Sequence, residues 1–99
     1  MNYRHGDVIL KRIDRIQDGA TPLKHRILAE GEVTGHAHRL TAGDVFAHPE
    51  GGTYVVIGDD GADLTHEEHG PQHIEPGIYE RIIQVEYEPG EEKYREVID

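Results

Sequence analysis

Glycine and proline interrupt this chain so often that no long regular element fits between them. Gly6, Gly19, Pro22, Gly31, Gly35, Gly43, the stretch Pro49-Glu50-Gly51-Gly52, Gly58, Gly61, Gly70-Pro71, Pro76-Gly77 and Pro89-Gly90 punctuate it at roughly ten-residue intervals. The runs left between them are short and rich in β-branched residues, which predicts strands and excludes a helix longer than about two turns. Asp7 to Ile13 reads as an opening strand, and Ile16 to Pro22 breaks it. Leu23 to Glu30 fits a strand or one helical turn, with strand favoured. Gly31 to Leu40 follows, with glycines that permit a bend or bulge. Val45 to His48 and Thr53 to Ile57 pair around the Pro49 loop, and Asp59-Asp60-Gly61 is a further hairpin signal. Ile78 to Glu88 is the longest candidate. There Ile83, Val85 and Tyr87 alternate with Gln84, Glu86 and Glu88, predicting one buried and one acidic face. Seven or eight short strands of this kind predict an all-β barrel or sandwich in one domain, 1–99, with 89–99 a polar tail or edge strand.

Composition narrows the chemistry. There is no cysteine, so thiolate metal sites, disulfides and cysteine nucleophiles are excluded together. There is no serine either, which removes serine hydrolysis, and no phosphate-cradling glycine motif occurs. The formal charge is −10, with fourteen of the twenty acids in residues 50–99. That balance opposes direct nucleic-acid binding and anionic membranes, and leaves a basic protein as the partner an acidic face would attract. No signal-peptide or membrane-span pattern is found, so a cytoplasmic location is expected. A core this thin predicts a gain from homodimerisation through sheet edges.

The remaining excess is histidine, eight in 99 residues. His5, His25 and His48 stand apart and are expected to be ordinary surface or partly buried imidazoles. Five others fall in two groups, His36/His38 and His66/His69/His73. In a strand, His36 and His38 share a face, so two imidazoles could grip one cation at about 2.0–2.1 Å from each nitrogen. His66-Glu67-Glu68-His69 would add imidazole and carboxylate. As a strand this segment pairs His66 with Glu68; as a helical turn it pairs His66 with His69. Thr65 and Glu68 form a capping-box pattern that Gly70-Pro71 would stop at once, so both conformations stay open.

The His-x-His pair followed by Gly43, Pro49 and Gly51 resembles the cupin superfamily of small metal-binding β-barrels. That resemblance implies a cupin-like barrel. Tyr54 stands where the second cupin motif has its histidine, and no glutamate follows His38 at three or four residues' spacing, so the full cupin ligand set does not carry over. Over nearly its whole length the chain also resembles a family of small uncharacterised bacterial and phage proteins, on the strings Gly31-Glu32-Val33-Thr34-Gly35-His36-Ala37-His38 and Thr65-His66-Glu67-Glu68-His69. That second resemblance implies a relative without a known activity.

The leading expectation is a small cupin-like β protein binding one divalent transition metal (Zn, Fe, Ni or Mn) through His36, His38, His66 and His69. Glu68 would serve as a ligand or, with metal-bound water or dioxygen and a small-molecule substrate, as catalytic base. The rival expectation is a non-enzymatic acidic module, a phage or prophage accessory protein, docking a basic partner.

Overall fold

A computed structural model describes residues 2–30 and 35–84. Ten strands occur among them, β1 Asn2–His5, β2 Val8–Ile13, β3 Thr21–Pro22, β4 Ile27–Glu30, β5 Ala37–Leu40, β6 Asp44–Ala47, β7 Thr53–Ile57, β8 Ala62–Thr65, β9 Gln72–Ile74 and β10 Gly77–Ile83. They form two antiparallel sheets, β1-β2-β10-β7-β6-β3 and β4-β5-β8-β9. The all-β sandwich is thus as the punctuation predicts. The closed barrel is not, since each sheet keeps two edge strands among the described residues.

Local chemistry explains the strands that the sequence did not announce. Residues 2–5 become a strand because Gly6 adopts φ 62° and closes a two-residue hairpin with Asp7, setting His5 opposite Val8. Positive φ at the first turn residue alone is the pattern of a type II′ turn, whose twist matches antiparallel strands. Thr21–Pro22, expected to be part of a break, adds a short edge to β6; an edge tolerates proline because its missing N–H is not needed there.

The two sheets share one core. Val8 and Leu10 of β2, Val55 and Ile57 of β7 and Tyr79 of β10 meet Leu28, Leu40, Leu64 and Ile74 of the other sheet, each no more than 4% exposed. Full burial of such a side chain contributes about 1.5–3 kcal/mol. Two polar contacts support this layer. The Tyr79 hydroxyl donates to the Glu75 carbonyl at 2.7 Å, and Arg81 Nη1 crosses to the Leu28 carbonyl of β4 at 2.7 Å.

The alternation expected from Ile83 onward is corrected where it can be followed. Ile83 is 39% exposed, because β10 pairs with β7 only as far as Arg81 and runs on beside β2 alone. Val85, Tyr87 and the segment 89–99 lie outside the described residues. No helix among the described residues is long and apolar enough to cross a membrane.

Leu64 tests the shared core. Leu64→Ala is expected to lower unfolding free energy by about 2–5 kcal/mol in urea titration, the cost of a buried leucine in a core that relaxes only partly.

Candidate metal centre

Strand parity aims two histidines at each other across the sandwich. His5 pairs directly with inward-facing Val8, and paired residues project to the same side, so His5 points between the sheets. His38 lies two residues from buried Leu40 on β5 and shares its inward face. They meet at 3.0 Å, Nδ1 to Nδ1, and are 5% and 6% exposed. His5 Nε2 also bonds the Gly70 carbonyl at 2.7 Å.

The segment after β8 supplies the outer wall. It is neither a strand nor a helical turn but a bend, begun when His66 Nδ1 accepts from the Glu68 amide at 3.0 Å. Glu67 then fastens the bend to β5. Its Oε1 accepts from the Ala37 amide at 2.9 Å and its Oε2 from Arg39 Nη1 at 2.8 Å. The Ala37 N–H, followed by Arg39, holds the Glu67 carboxyl down at about 2, so it stays ionised. Glu68 turns the other way and accepts from His36 Nδ1 at 3.0 Å.

Five imidazoles are thereby gathered. Ring centroids lie 4.5 Å apart for His38 and His66, 4.9 Å for His66 and His69, 5.8 Å for His36 and His66, and 5.9 Å for His38 and His69. His5 stands 5.1 Å from His38 and 5.5 Å from His69. Nitrogen ligands bind a transition metal at about 2.0–2.1 Å, which places ring centroids about 3 Å from the ion and about 5 Å from one another. The observed spacings are of that size. One donor atom each from His36, His66 and Glu67 lie within 4.8 Å of one another.

All four histidines expected as ligands therefore enter one cluster, but not as the expected pairs. His36 precedes β5 and reaches His66, whereas His38 reaches His5, His66 and His69. Sequence reasoning missed two members. Glu67 offers a donor grouped with those of His36 and His66 while Glu68 bonds His36, an arrangement that a bend allows and that neither the strand nor the helical-turn spacing specifies. His5, expected to be an ordinary imidazole, is the other: His5-Gly6-Asp7 before a β-branched run carries a hairpin signal, and that hairpin turns the ring inward. His25 and His48 accept from the amides of Ile27 and Glu50 in local turns, and His73 bonds Asp63 at 3.0 Å.

Gly6 makes room for the cluster. A Cβ there would lie 3.1 Å from His38 Cε1 and 3.1 Å from His69 Nε2, so only a residue without a side chain leaves both rings in place.

Burial and then the neighbouring His66, His5 and His69 push the His38 pKa down to about 4. The ring is thus neutral and its lone pair available at ordinary pH.

An all-β sandwich with an imidazole-rich cluster between its sheets is the class that fold and site define. The chain belongs to the family described as a domain of unknown function, DUF8820, whose model matches residues 4–84. That span takes in His5 through His69, so the whole cluster lies within the matched region. No curated protein and no solved structure matches the chain.

The His38 shift fixes a pH dependence. Between pH 6.5 and 4 the unfolded chain binds a proton that the folded chain does not, so stability rises with pH across this window. Metal-free protein should keep this contribution above pH 6.5 and lose it as pH falls toward 4. Urea midpoints across that range check it, with a flatter profile expected for His38→Gln.

Proposed function

We propose that this protein binds one divalent transition metal, of the Zn, Fe, Ni or Mn kind, at the histidine cluster. His36, His66 and Glu67 are its grouped donors, and the rings of His38 and His69 adjoin His66. The observation that supports the reading is the convergence of imidazole and carboxylate donors from two separate segments, residues 36–38 and 66–69, at ligand-like spacing. Imidazole with one carboxylate suits borderline transition ions better than Mg or Ca.

Glu68 supports the same reading in a different role from the expected ligand or base. A carboxylate holding the far nitrogen of a ligand histidine fixes the ring and raises its basicity, and Glu68 stands in that relation to His36. His66 has the opposite arrangement. An ion at its Nε2 would require the ring proton to move to Nδ1, with loss of the bond from the Glu68 amide. A bound ion with an open position would supply Lewis-acid polarisation or an acidic bound water to a small-molecule substrate. The cupin-like part of the reading draws support from the two-sheet all-β architecture and from a His-x-His pair at the entry to β5.

Elemental analysis of untagged protein and calorimetric titration with Zn²⁺ test the proposal. About one ion per chain is expected, with at least tenfold weaker uptake in the His36→Ala/His66→Ala double variant and no change in His73→Ala. Saturation at a hundred times Kd should add about 2.7 kcal/mol of stability, which chelation removes. Absence of uptake, or equal uptake by the double variant, would sink the idea.

A further inference from the structure

We infer that His5 is a positioning residue that fixes His38 as its Nδ1–H tautomer and leaves the Nε2 lone pair of His38 free beside His69. The inference follows from a chain of acceptors that begins at the backbone. The Gly70 carbonyl can only accept, so the 2.7 Å contact requires the proton of His5 to sit on Nε2. With both rings neutral, His5 Nδ1 is then an acceptor. The 3.0 Å contact between the two Nδ1 atoms can be a hydrogen bond only if His38 supplies the proton. His38 therefore carries hydrogen on Nδ1 and none on Nε2.

That assignment runs against the ring's own preference, since a free neutral histidine side chain favours hydrogen on Nε2. Burial makes it binding, because a buried nitrogen without its partner costs about 1–3 kcal/mol. The two Nε2 atoms beside Gly6 show where the lone pair is delivered. His38 Nε2 and His69 Nε2 lie 3.4 and 3.1 Å from the point a Cβ on Gly6 would occupy, so both border the gap that the glycine leaves. One hairpin thus does two things at this site. His5 sets which nitrogen of His38 is bare, and Gly6 keeps the space beside it open.

The cluster contains its own reference. His66 Nδ1 accepts from the Glu68 amide, so a neutral His66 carries its proton on Nε2, the reverse of His38. Neighbouring rings with centroids 4.5 Å apart are thereby held in opposite tautomers by unrelated contacts.

The tautomer assignment stands on the hydrogen bonds alone; its consequence for affinity rests on the metal reading. The test is long-range proton–nitrogen correlation on the full-length, metal-free protein with ¹⁵N-labelled histidine at pH 8, which reads the protonated nitrogen of each ring. His38 should appear as Nδ1–H and His66 as Nε2–H. His5→Asn keeps an acceptor at the Nδ1 position and should preserve the His38 pattern. His5→Gln keeps the donor to Gly70 but removes that acceptor, so His38 should shift toward Nε2–H, as it should in His5→Ala. Amide spectra establish which variants remain folded, and either His5→Asn or His5→Gln suffices beside wild type. Zn²⁺ affinity should fall about 10–100-fold in His5→Gln, and less in His5→Asn. An Nε2–H His38 in wild type, or an unchanged Nδ1–H His38 in folded His5→Gln, overturns the inference. An Nδ1–H His38 in wild type that takes up no Zn²⁺ supports the tautomer assignment and overturns the metal reading instead.

Discussion

A histidine ring buried against other histidine rings is stable only if it stays neutral and if every nitrogen facing protein has a partner of the right kind. That constraint on His38 organises one region of the sandwich. The ring needs an acceptor at Nδ1, which His5 provides. His5 needs an acceptor of its own, which the Gly70 carbonyl provides. The β1–β2 hairpin, β5 and the bend after β8 are thus joined by a single line of hydrogen bonds through two imidazoles. These elements are far apart in sequence, so the line draws the first sheet to the second at a place where the apolar core has given way to polar groups.

The same constraint explains which parts of the molecule the sequence made legible. Strands were readable because they depend on local pattern: β-branched runs between glycine and proline, with alternation deciding the inward face. The two histidine groups were readable because they are tight in sequence. The rest depended on events that local pattern does not encode. His5 joined the cluster through a type II′ turn at Gly6, a conformation that depends on one glycine and is worth nothing until the strand pairs. Glu67 entered the donor group beside Glu68 because the segment after Thr65 is a bend, so neither a twofold nor a 3.6-fold period could assign the two carboxylates. Thr21–Pro22 looked like a breaker and is one in the middle of a sheet; at an edge the missing N–H costs little.

The surpluses of acid and of histidine, distinct along the chain, are linked in space. Glu68 holds His36, Asp63 holds His73, and Glu67 lies among the donors nearest His66 while bonded to Arg39 and to the Ala37 amide. Part of the acid excess therefore belongs to the imidazoles instead of forming a uniform solvated face. Glu67 shows why this matters electrostatically. An acid held ionised by an amide and a guanidinium places a fixed negative charge beside rings that would otherwise have only one another for company. It lowers the cost of a cation there without requiring any ring to carry a proton.

Exposure across the cluster is graded. His5 and His38 are nearly closed off from solvent, His36 and His66 are half-buried, and His69, Glu67 and Glu68 are exposed. Under the proposed reading, a cation arriving from water would meet the carboxylates and outer rings first, with Glu67 already fixed by the Ala37 amide and Arg39 and His36 already held by Glu68. The inner rings cannot turn without breaking a buried hydrogen bond. Their geometry must therefore be right beforehand, and the tautomer set by Gly70 and His5 is what makes it so. With no thiolate in the chain, every donor available is nitrogen or oxygen, and a site built from them at a half-open edge would be expected to keep room for an exchangeable ligand more readily than a closed structural site does.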